Sequence, residues 1–448
     1  MYDIRGLAES EITPELAEKI GRAFAVLLKS ERTEQSLIVA VGKDMRETST
    51  AYQAALTQGL LKSGVNVIDI GLVSTPAFYF SVGHLKADGG VMVSASHNPA
   101  QYNGFKLTRE KAIPVSGDTG IQTIADLVEA DQFEDAPVMG TVTTVQAIPE
   151  RSADAEFAAS GHRPIKKFKI VADTANGMGA QYLDEFFQMV DADVIRLYWD
   201  FDGRFPNHEA DPFKDENTHE LEQKVVELGA DLGIATDGDG DRIFFIDDKG
   251  KKVPPAVLRG LLAQIVLRDH PGTTICYDIR PGKITQDLIL ESGGVPSVTR
   301  VGHSLIKEQM RSVGAPFGGE SSGHFFYEFP TGTYEGPVTV AAQILQEITE
   351  RGIPFSEIVE PLGARYVHSG EINFEVKDKQ SAMQEIKETY QDGQLNELDG
   401  ISISYPDFWF NVRASNTESK LRLNLEAVDR EVMETRRDEM IAIIRKHQ

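Results

Sequence analysis

Phe168-Lys-Ile-Val-Ala-Asp173-Thr-Ala-Asn-Gly177-Met-Gly179 reads as an apolar strand that ends on an Asp and enters a glycine-containing turn. A short apolar run bounded by turn residues is a strand signal. Helical periodicity follows, and after it a second short strand pattern, Ala192-Asp-Val-Ile-Arg-Leu197. The same order occurs on either side. Leu37-Ile-Val-Ala-Val-Gly-Lys-Asp44-Met-Arg46 is followed by Val65-Asn-Val-Ile-Asp-Ile70, and Thr274-Ile-Cys-Tyr-Asp278-Ile-Arg280-Pro-Gly282 by Val295-Pro-Ser-Val298. Strands alternating with helices at this spacing make βαβ units and largely parallel sheets. The interval between copies exceeds 100 residues, far longer than a solenoid period, so the pattern predicts three similar α/β domains.

The chain changes character after about residue 366. A strand (372–376), a helix (379–390), two strands (401–412 and 421–427) and a closing amphipathic helix from Arg430 predict a small α+β domain. The expected fold class is therefore α/β: three similar α/β domains with mixed, largely parallel sheets, plus a small C-terminal α+β domain. The expected boundaries are 1–149, 150–250, 251–365 and 366–448. With 448 residues, three to four domains is the ordinary number.

Composition limits the function classes. The formal charge is −24 at pH 7, which disfavours a broad nucleic-acid surface, because neutralising phosphates takes a basic face. An anionic ligand would need a local basic pocket. The single cysteine, Cys276, rules out an intramolecular disulfide and a Cys-based metal cluster, and its neighbours place it in a buried strand. No stretch approaches the ~20 apolar residues that span a bilayer, and the opening residues lack a signal peptide's apolar core. The expectation is a cytoplasmic protein with no membrane or nucleic-acid partner.

Four loops carry the chemistry. In Ala235-Thr236-Asp237-Gly238-Asp239-Gly240-Asp241-Arg242, between two strand patterns, three carboxylates at alternate positions can converge on one hard cation. An EF-hand would need Gly where Arg242 stands, and a helix rather than a strand afterwards. Oxygen ligands point to Mg²⁺. In Ser94-Ala95-Ser96-His97-Asn98-Pro99, continuing to Tyr102-Asn103-Gly104-Phe105-Lys106, a strand ends in a turn that presents a hydroxyl for attack or for accepting a group. Ser96-His97 is no hydrolase triad, since neighbouring side chains diverge, and Lys106 taken alone reads as a surface lysine. Gly318-Gly319-Glu320-Ser321-Ser322-Gly323-His324 sets a carboxylate, a hydroxyl and an imidazole on alternate positions, a set suited to vicinal sugar hydroxyls. Arg413-Ala414-Ser415-Asn416-Thr417 has the composition of a phosphate cradle. Gly302-His303 stands where a helix N-terminus can hold an anion. One such loop per domain, facing a central cleft, suits a phosphosugar enzyme.

On these loops, together with Tyr2-Asp3-Ile4-Arg5-Gly6, the whole chain resembles the α-D-phosphohexomutases. Tyr102-Asn-Gly-Phe-Lys106, Glu320-x-Ser322-Gly-His324 and Phe201-Asp-Gly-Arg-Phe-Pro-Asn-His208 look most like the phosphomannomutase/phosphoglucomutase branch. The resemblance implies a phosphoserine at Ser96 and one Mg²⁺ per chain on Asp237, Asp239, Asp241 and that phosphate. It implies interconversion of hexose 1- and 6-phosphates through a hexose 1,6-bisphosphate, which is also the activator. Arg5, His97, Lys106, Arg242 and His324 would surround the reacting centre, with Lys106 or His324 moving the proton. Tyr2, Arg280, Gly302, His303, Glu320, Ser322, Arg413, Ser415, Asn416 and Thr417 would bind substrate. The partner is a small phosphosugar, and the protein a monomer or homodimer. A phosphoglucosamine mutase is the alternative enzyme, and a non-catalytic sugar-phosphate-binding protein the alternative of another class.

Overall fold

The computed structural model describes residues 3–32, 36–280, 282–414 and 420–448. The chain forms two compact units, one from residues 1–253 and 322–356, the other from 254–321 and 357–448. Among the described residues no helix is long and apolar enough to cross a membrane.

The first unit holds two sheets and a hairpin. The larger sheet runs Ile4–Leu7, Tyr102–Arg109, Gly89–Val93, Ile38–Lys43, Asn66–Leu72, Val142–Thr144. Its centre is parallel, and its first two strands are antiparallel additions. Phe24, Leu28, Val39, Val41, Leu56 and Phe105 form the core between this sheet and the helices Pro14–Glu31 and Ser49–Lys62. The second sheet runs Ile243–Ile246, Leu232–Thr236, Phe168–Asp173, Ala192–Leu197 and is parallel except for its first pair. That antiparallel pair makes residues 237–242 the tip of a hairpin, with Ile243 opposite Thr236. A further hairpin, Phe325–Phe329 with Gly332–Glu335, leads into the helix Pro337–Arg351.

In the first two of the three repeated strands the closing Asp has the same task. Asp44 Oδ1 accepts from the Arg46 N–H at 3.0 Å, and Asp173 Oδ1 from the Ala175 N–H at 2.8 Å. Each carboxylate thus folds the chain back where the parallel strand ends.

The second unit contains the parallel strands Val295–Thr299, Thr274–Asp278 and Phe317–Gly319 with the helices Pro255–Asp269, Lys283–Glu291 and His303–Val313. Cys276 is fully buried in the middle strand, as its neighbours predict. The C-terminal part is an antiparallel sheet in the order Val367–His368, Lys420–Ala427, Phe408–Ala414, Ile401–Ser404, Gln394–Asn396, with Ile372–Glu375 also pairing with Lys420–Ala427. Helices Lys379–Thr389 and Arg430–Arg445 supply Ile386, Met440 and Ile444 to a core with Phe374, Phe410, Val412 and Leu423. The strand expected over 401–412 is instead a hairpin. Pro406 has no N–H for a ladder, so the chain turns there and Tyr405 N donates to Phe408 O at 2.8 Å. The small strand Gln394–Asn396 was also absent from the expectation.

Candidate active site

In the first unit the hairpin tip brings Asp237, Asp239 and Asp241 together, all buried, with carboxylate oxygens within 4.8 Å of one another. Backbone contacts hold the tip: Met178 N donates to Gly238 O and Thr75 N to Asp239 O, each at 2.9 Å. Thr75 opens the helix Thr75–His84, and its hydroxyl also donates to Asp239 Oδ2 at 2.7 Å. Arg242 N donates to Asp237 Oδ1 at 3.2 Å.

Two cations and an imidazole answer these carboxylates. Lys106 Nζ lies 3.1 Å from Asp241 Oδ2, 3.5 Å from Asp239 Oδ2 and 3.6 Å from Asp3 Oδ2. His324 Nε2 is 3.0 Å from Asp241 Oδ1, and Arg242 Nε 3.7 Å from Asp237 Oδ2. Lys106 is only 3 % exposed, so the surface position it suggests in isolation is wrong. It sits mid-strand opposite Met92, and the carboxylates compensate its burial. Burial lowers its ammonium, but Asp241, Asp3 and Asp239 outweigh that and hold it well above the ordinary lysine value. Burial likewise raises Asp241, yet Lys106, His324 and Arg242 pull it well below the usual carboxylate range. Asp237 and Asp239 go the other way, raised first by burial and then by their carboxylate neighbours. Asp239 Oδ1 is buried without a hydrogen-bond partner. A crowded set of buried oxygen donors, two of which resist ionisation, is the environment that a hard divalent cation relieves. The residues fit Mg²⁺.

Ser96 sits at this set. It is 1 % exposed, its backbone is left-handed at φ 54°, and its Oγ donates to Asp237 Oδ2 at 3.2 Å. His97 Nδ1 is 3.1 Å from the same Oγ. Burial first, then Arg242 and Arg5, hold the His97 imidazole well below its ordinary value, so it is neutral. Arg5 donates to Asn98 Oδ1 at 2.7 Å and pairs with Asp3 at 3.0 Å. Ser322 Oγ is 3.1 Å from His324 Nδ1, whose ring stacks on Phe326. Ser96, His97, Lys106, Arg5, Arg242, Ser322, His324 and the three Asp thus all belong to one unit.

In the second unit Glu320 accepts from Arg280 Nη2 at 3.0 Å, and Arg280 Nε donates to Asp278 Oδ2 at 2.7 Å. Burial lowers the Arg280 guanidinium, but Asp278 and Glu320 outweigh it, so its pKa is raised. The loop before Glu320 is pinned by fully buried Arg259, which pairs with Asp278, while Ser321 N and Oγ both donate to Asp278 Oδ1 at 2.9 Å. Gly302 precedes the helix His303–Val313, and Val301 N donates to Asp399 Oδ2 at 3.0 Å. Arg413 donates to Glu371 Oε2 at 3.2 Å and Arg422 to Glu371 Oε1 at 3.1 Å. Burial raises the Glu371 carboxyl, but Arg280, Arg413 and Arg422 outweigh it and hold it low. Two guanidiniums, Arg413 and Arg422, share the Glu371 carboxylate, and Arg280, paired with Asp278 and Glu320, adds its field to it. Tyr2, Ser415, Asn416 and Thr417 lie outside the described residues.

Several of these residues carry no signal in their own motif. Thr75, Glu371 and Arg422 act only because the fold brings them to distant partners, whereas Asp3 stands in the opening motif beside its partner Arg5. Arg422 alone had a cue: it faces Arg413 across the terminal strand pair.

Comparison with known proteins gives a consistent result. Models of phosphoglucomutase/phosphomannomutase α/β/α domains I, II and III match residues 1–135, 150–250 and 256–366, and that of the C-terminal domain matches 371–443. The chain is 37 % identical to a phosphomannomutase of Vibrio cholerae, covering 99 % of this chain and 97 % of the relative. It is 35 % identical to a phosphomannomutase/phosphoglucomutase of Pseudomonas syringae, covering 95 % and 90 %. A solved phosphoglucomutase/phosphomannomutase family protein of Burkholderia thailandensis superposes with a TM-score of 0.89 at 28 % identity, over 100 % of this chain and 96 % of that one.

Proposed function

Because the chain belongs to the phosphoglucomutase/phosphomannomutase family and is an isomerase of hexose phosphates, we propose that it interconverts the 1- and 6-phosphates of mannose and glucose through a phosphate carried on Ser96. One observation carries this reading: Ser96 Oγ stands 3.2 Å from Asp237 Oδ2, at the edge of three buried carboxylates. A hydroxyl so placed becomes a phosphate beside a cation site. We read the chain as four domains, 1–149, 150–250, 251–365 and 366–448, and assign that phosphate to the first and the carboxylates to the second.

Asp237, Asp239 and Asp241 would hold one Mg²⁺, joined by the phosphate of Ser96. When bound, the metal supplies positive charge against that of the transferred phosphoryl group. The chain's own residues do the rest. Ser96 gives its phosphoryl group to the free hydroxyl of a hexose monophosphate: the P–Oγ bond breaks and the P–O bond to the sugar forms. The hydroxyl proton leaves to His324 in its neutral form, or to Lys106 once its ammonium has given up a proton, the two groups that share Asp241. The resulting 1,6-bisphosphate then turns over and returns its other phosphate to Ser96. Arg5 and Arg242 offset charge at the serine, and neutral His97 orients its oxygen. Ser322 in the first unit, and Glu320, Arg280, Gly302, His303 and Arg413 in the second, are assigned to substrate, with Arg413 on a phosphate. Tyr2, Ser415, Asn416 and Thr417 keep that assignment from the family motif alone.

The test is direct. Intact mass should show a fraction of purified protein carrying one phosphate, and peptide mass should place it on Ser96. Ser96→Ala should keep the fold and lose at least ~10³-fold in turnover of mannose 1-phosphate and glucose 1-phosphate, about the cost of removing an essential nucleophile. Near-normal turnover would sink the assignment. Running glucosamine 1-phosphate alongside separates the phosphoglucosamine mutase alternative.

A further inference from the structure

Arg46 follows the strand Ile38–Lys43 and is 3 % exposed. Its guanidinium reaches no substituent that reacts. Four of its N–H groups donate to main-chain carbonyls of a single loop: Nη2 to Ser96 O at 2.8 Å and Asn98 O at 2.6 Å, Nη1 to Pro99 O and Tyr102 O, both at 2.9 Å. The fifth, on Nε, lies 3.2 Å from Asp44 Oδ2. A planar fork with donors in fixed directions thereby uses four of them on one loop and sets its Nε in an ion pair with one carboxylate, a task an ammonium cannot copy.

The fork is itself held on three sides. Asp44 Oδ1 accepts from Arg46 N at 3.0 Å and from Ser49 Oγ at 2.6 Å, and Asn103 Nδ2 donates to Ser49 Oγ at 3.0 Å. The Phe205 ring covers the guanidinium, 5.1 Å from centroid to Cζ. Gly203 presses against its backbone so closely that a Cβ there would lie 2.5 Å from Arg46 Cα. This gives a task to the Phe201–His208 stretch, which has no direct part in the chemistry above.

Ser96 needs such a grip. Its φ of 54° is a left-handed conformation that residues other than Gly, Asn and Asp adopt only under strain. Its carbonyl is wedged between the Arg46 fork and Gly238 of the acidic hairpin, where a Cβ on Gly238 would lie 2.7 Å from Ser96 O. With the carbonyl fixed on one side, the side chain on the other is aimed at Asp237.

We propose that Arg46 is a positioning residue for phosphoryl transfer, holding the loop 96–102 by four carbonyls so that the strained Ser96 presents its oxygen to the acidic hairpin. This rests on the reading of Ser96 as the phosphate carrier. Arg46→Lys keeps the charge but not the fork. It should lower kcat for mannose 1-phosphate by about 10²-fold, the scale of a 1 Å misplacement, while KM stays within about twofold. The rate at which Ser96 takes phosphate from glucose 1,6-bisphosphate, followed by peptide mass, should fall by the same factor. In Arg46→Ala, guanidinium chloride at tens of millimolar should restore several-fold activity, and it should restore none to Ser96→Ala. Phe205→Leu, which keeps the core apolar, should give a milder loss with the same kcat signature.

Two results would overturn the positioning role: unchanged kcat in Arg46→Lys with Ser96 phosphorylated normally, or losses that merely follow the folded fraction by circular dichroism with no guanidinium rescue. A wild-type phosphate found on a residue other than Ser96 would instead overturn the underlying reading of the serine.

Discussion

Glu156 allows a quantitative prediction outside the active site. It lies on the helix Ile148–Ala159, is 1 % exposed, and its Oε2 accepts from Val338 N at 2.9 Å in the first turn of the helix Pro337–Arg351. Around it, Thr339 Oγ1 donates to the Glu156 carbonyl at 2.8 Å, and Gln346 Nε2 donates to Gly161 O at 2.9 Å. Burial pushes the carboxyl up to about 8 from 4.5, against hydrogen bonds from Val338, Ser152 and Thr339, with Glu335 adding to the rise. Below pH 4.5 the group is neutral in both folded and unfolded chains. Between 4.5 and 8 the unfolded chain has lost a proton that the folded chain keeps, so stability falls as pH rises through that window. At about 1.4 kcal/mol per pH unit the full cost is on the order of 5 kcal/mol. Glu156→Gln keeps an acceptor for Val338 N and removes the charge. Its stability relative to the parent should be near neutral at pH 5 and should improve steadily toward pH 8.5, by at least ~2 kcal/mol. Urea unfolding followed by far-UV circular dichroism at four pH values measures this. Parallel pH profiles for the two proteins would refute the reasoning, because they would mean that Glu156 ionises in the folded chain as it does in water.

The remaining predictions concern the acidic hairpin. Asp239→Asn removes one of three crowded carboxylates, so Mg²⁺ binding by calorimetry should weaken at least ~10-fold, while melting of the metal-free protein rises by a few degrees. Equal metal affinity would contradict the ligand assignment. Lys106→Met strips the shared cation from Asp241, Asp239 and Asp3 and should cost about 3 kcal/mol without metal, the usual cost of leaving a buried charge unpaired. Saturating Mg²⁺ should recover more stability in this variant than in the parent, and differential scanning calorimetry with and without the metal decides it.

How much could be read beforehand depended on how local each signal was. The alternation of Asp237, Asp239 and Asp241 is complete within five residues, and the turn after Gly90–Val93 announces a serine hydroxyl at a strand end. Both could be located without a structure. Lys106 could not be judged this way, because what makes it a buried cation is a carboxylate 135 positions away. Arg46 is harder still. Its partners are carbonyl oxygens, which every residue carries, so no side-chain pattern marks them. Glu371 is one acidic residue among 69 Asp and Glu until two arginines converge on it. The three-fold strand–Asp–helix order was visible because periodicity is local. At Pro406 the apolar runs on either side read as one strand, but a residue without an N–H cannot continue a ladder.

The order of segments in the first unit has a consequence during synthesis. Its residues 1–253 leave the ribosome well before 322–356, which complete it. The N–H that Glu156 accepts is 182 positions downstream. At roughly 5–20 residues per second, the helix Ile148–Ala159 waits on the order of ten to forty seconds for the helix Pro337–Arg351. During that interval the helix Ile148–Ala159 lacks a helix that it packs against in the finished protein, and Glu156 lacks its N–H partner. The nascent chain therefore passes through a stage in which most of one unit is made and its last face is open, a natural point of attachment for a chaperone and a vulnerable one for aggregation.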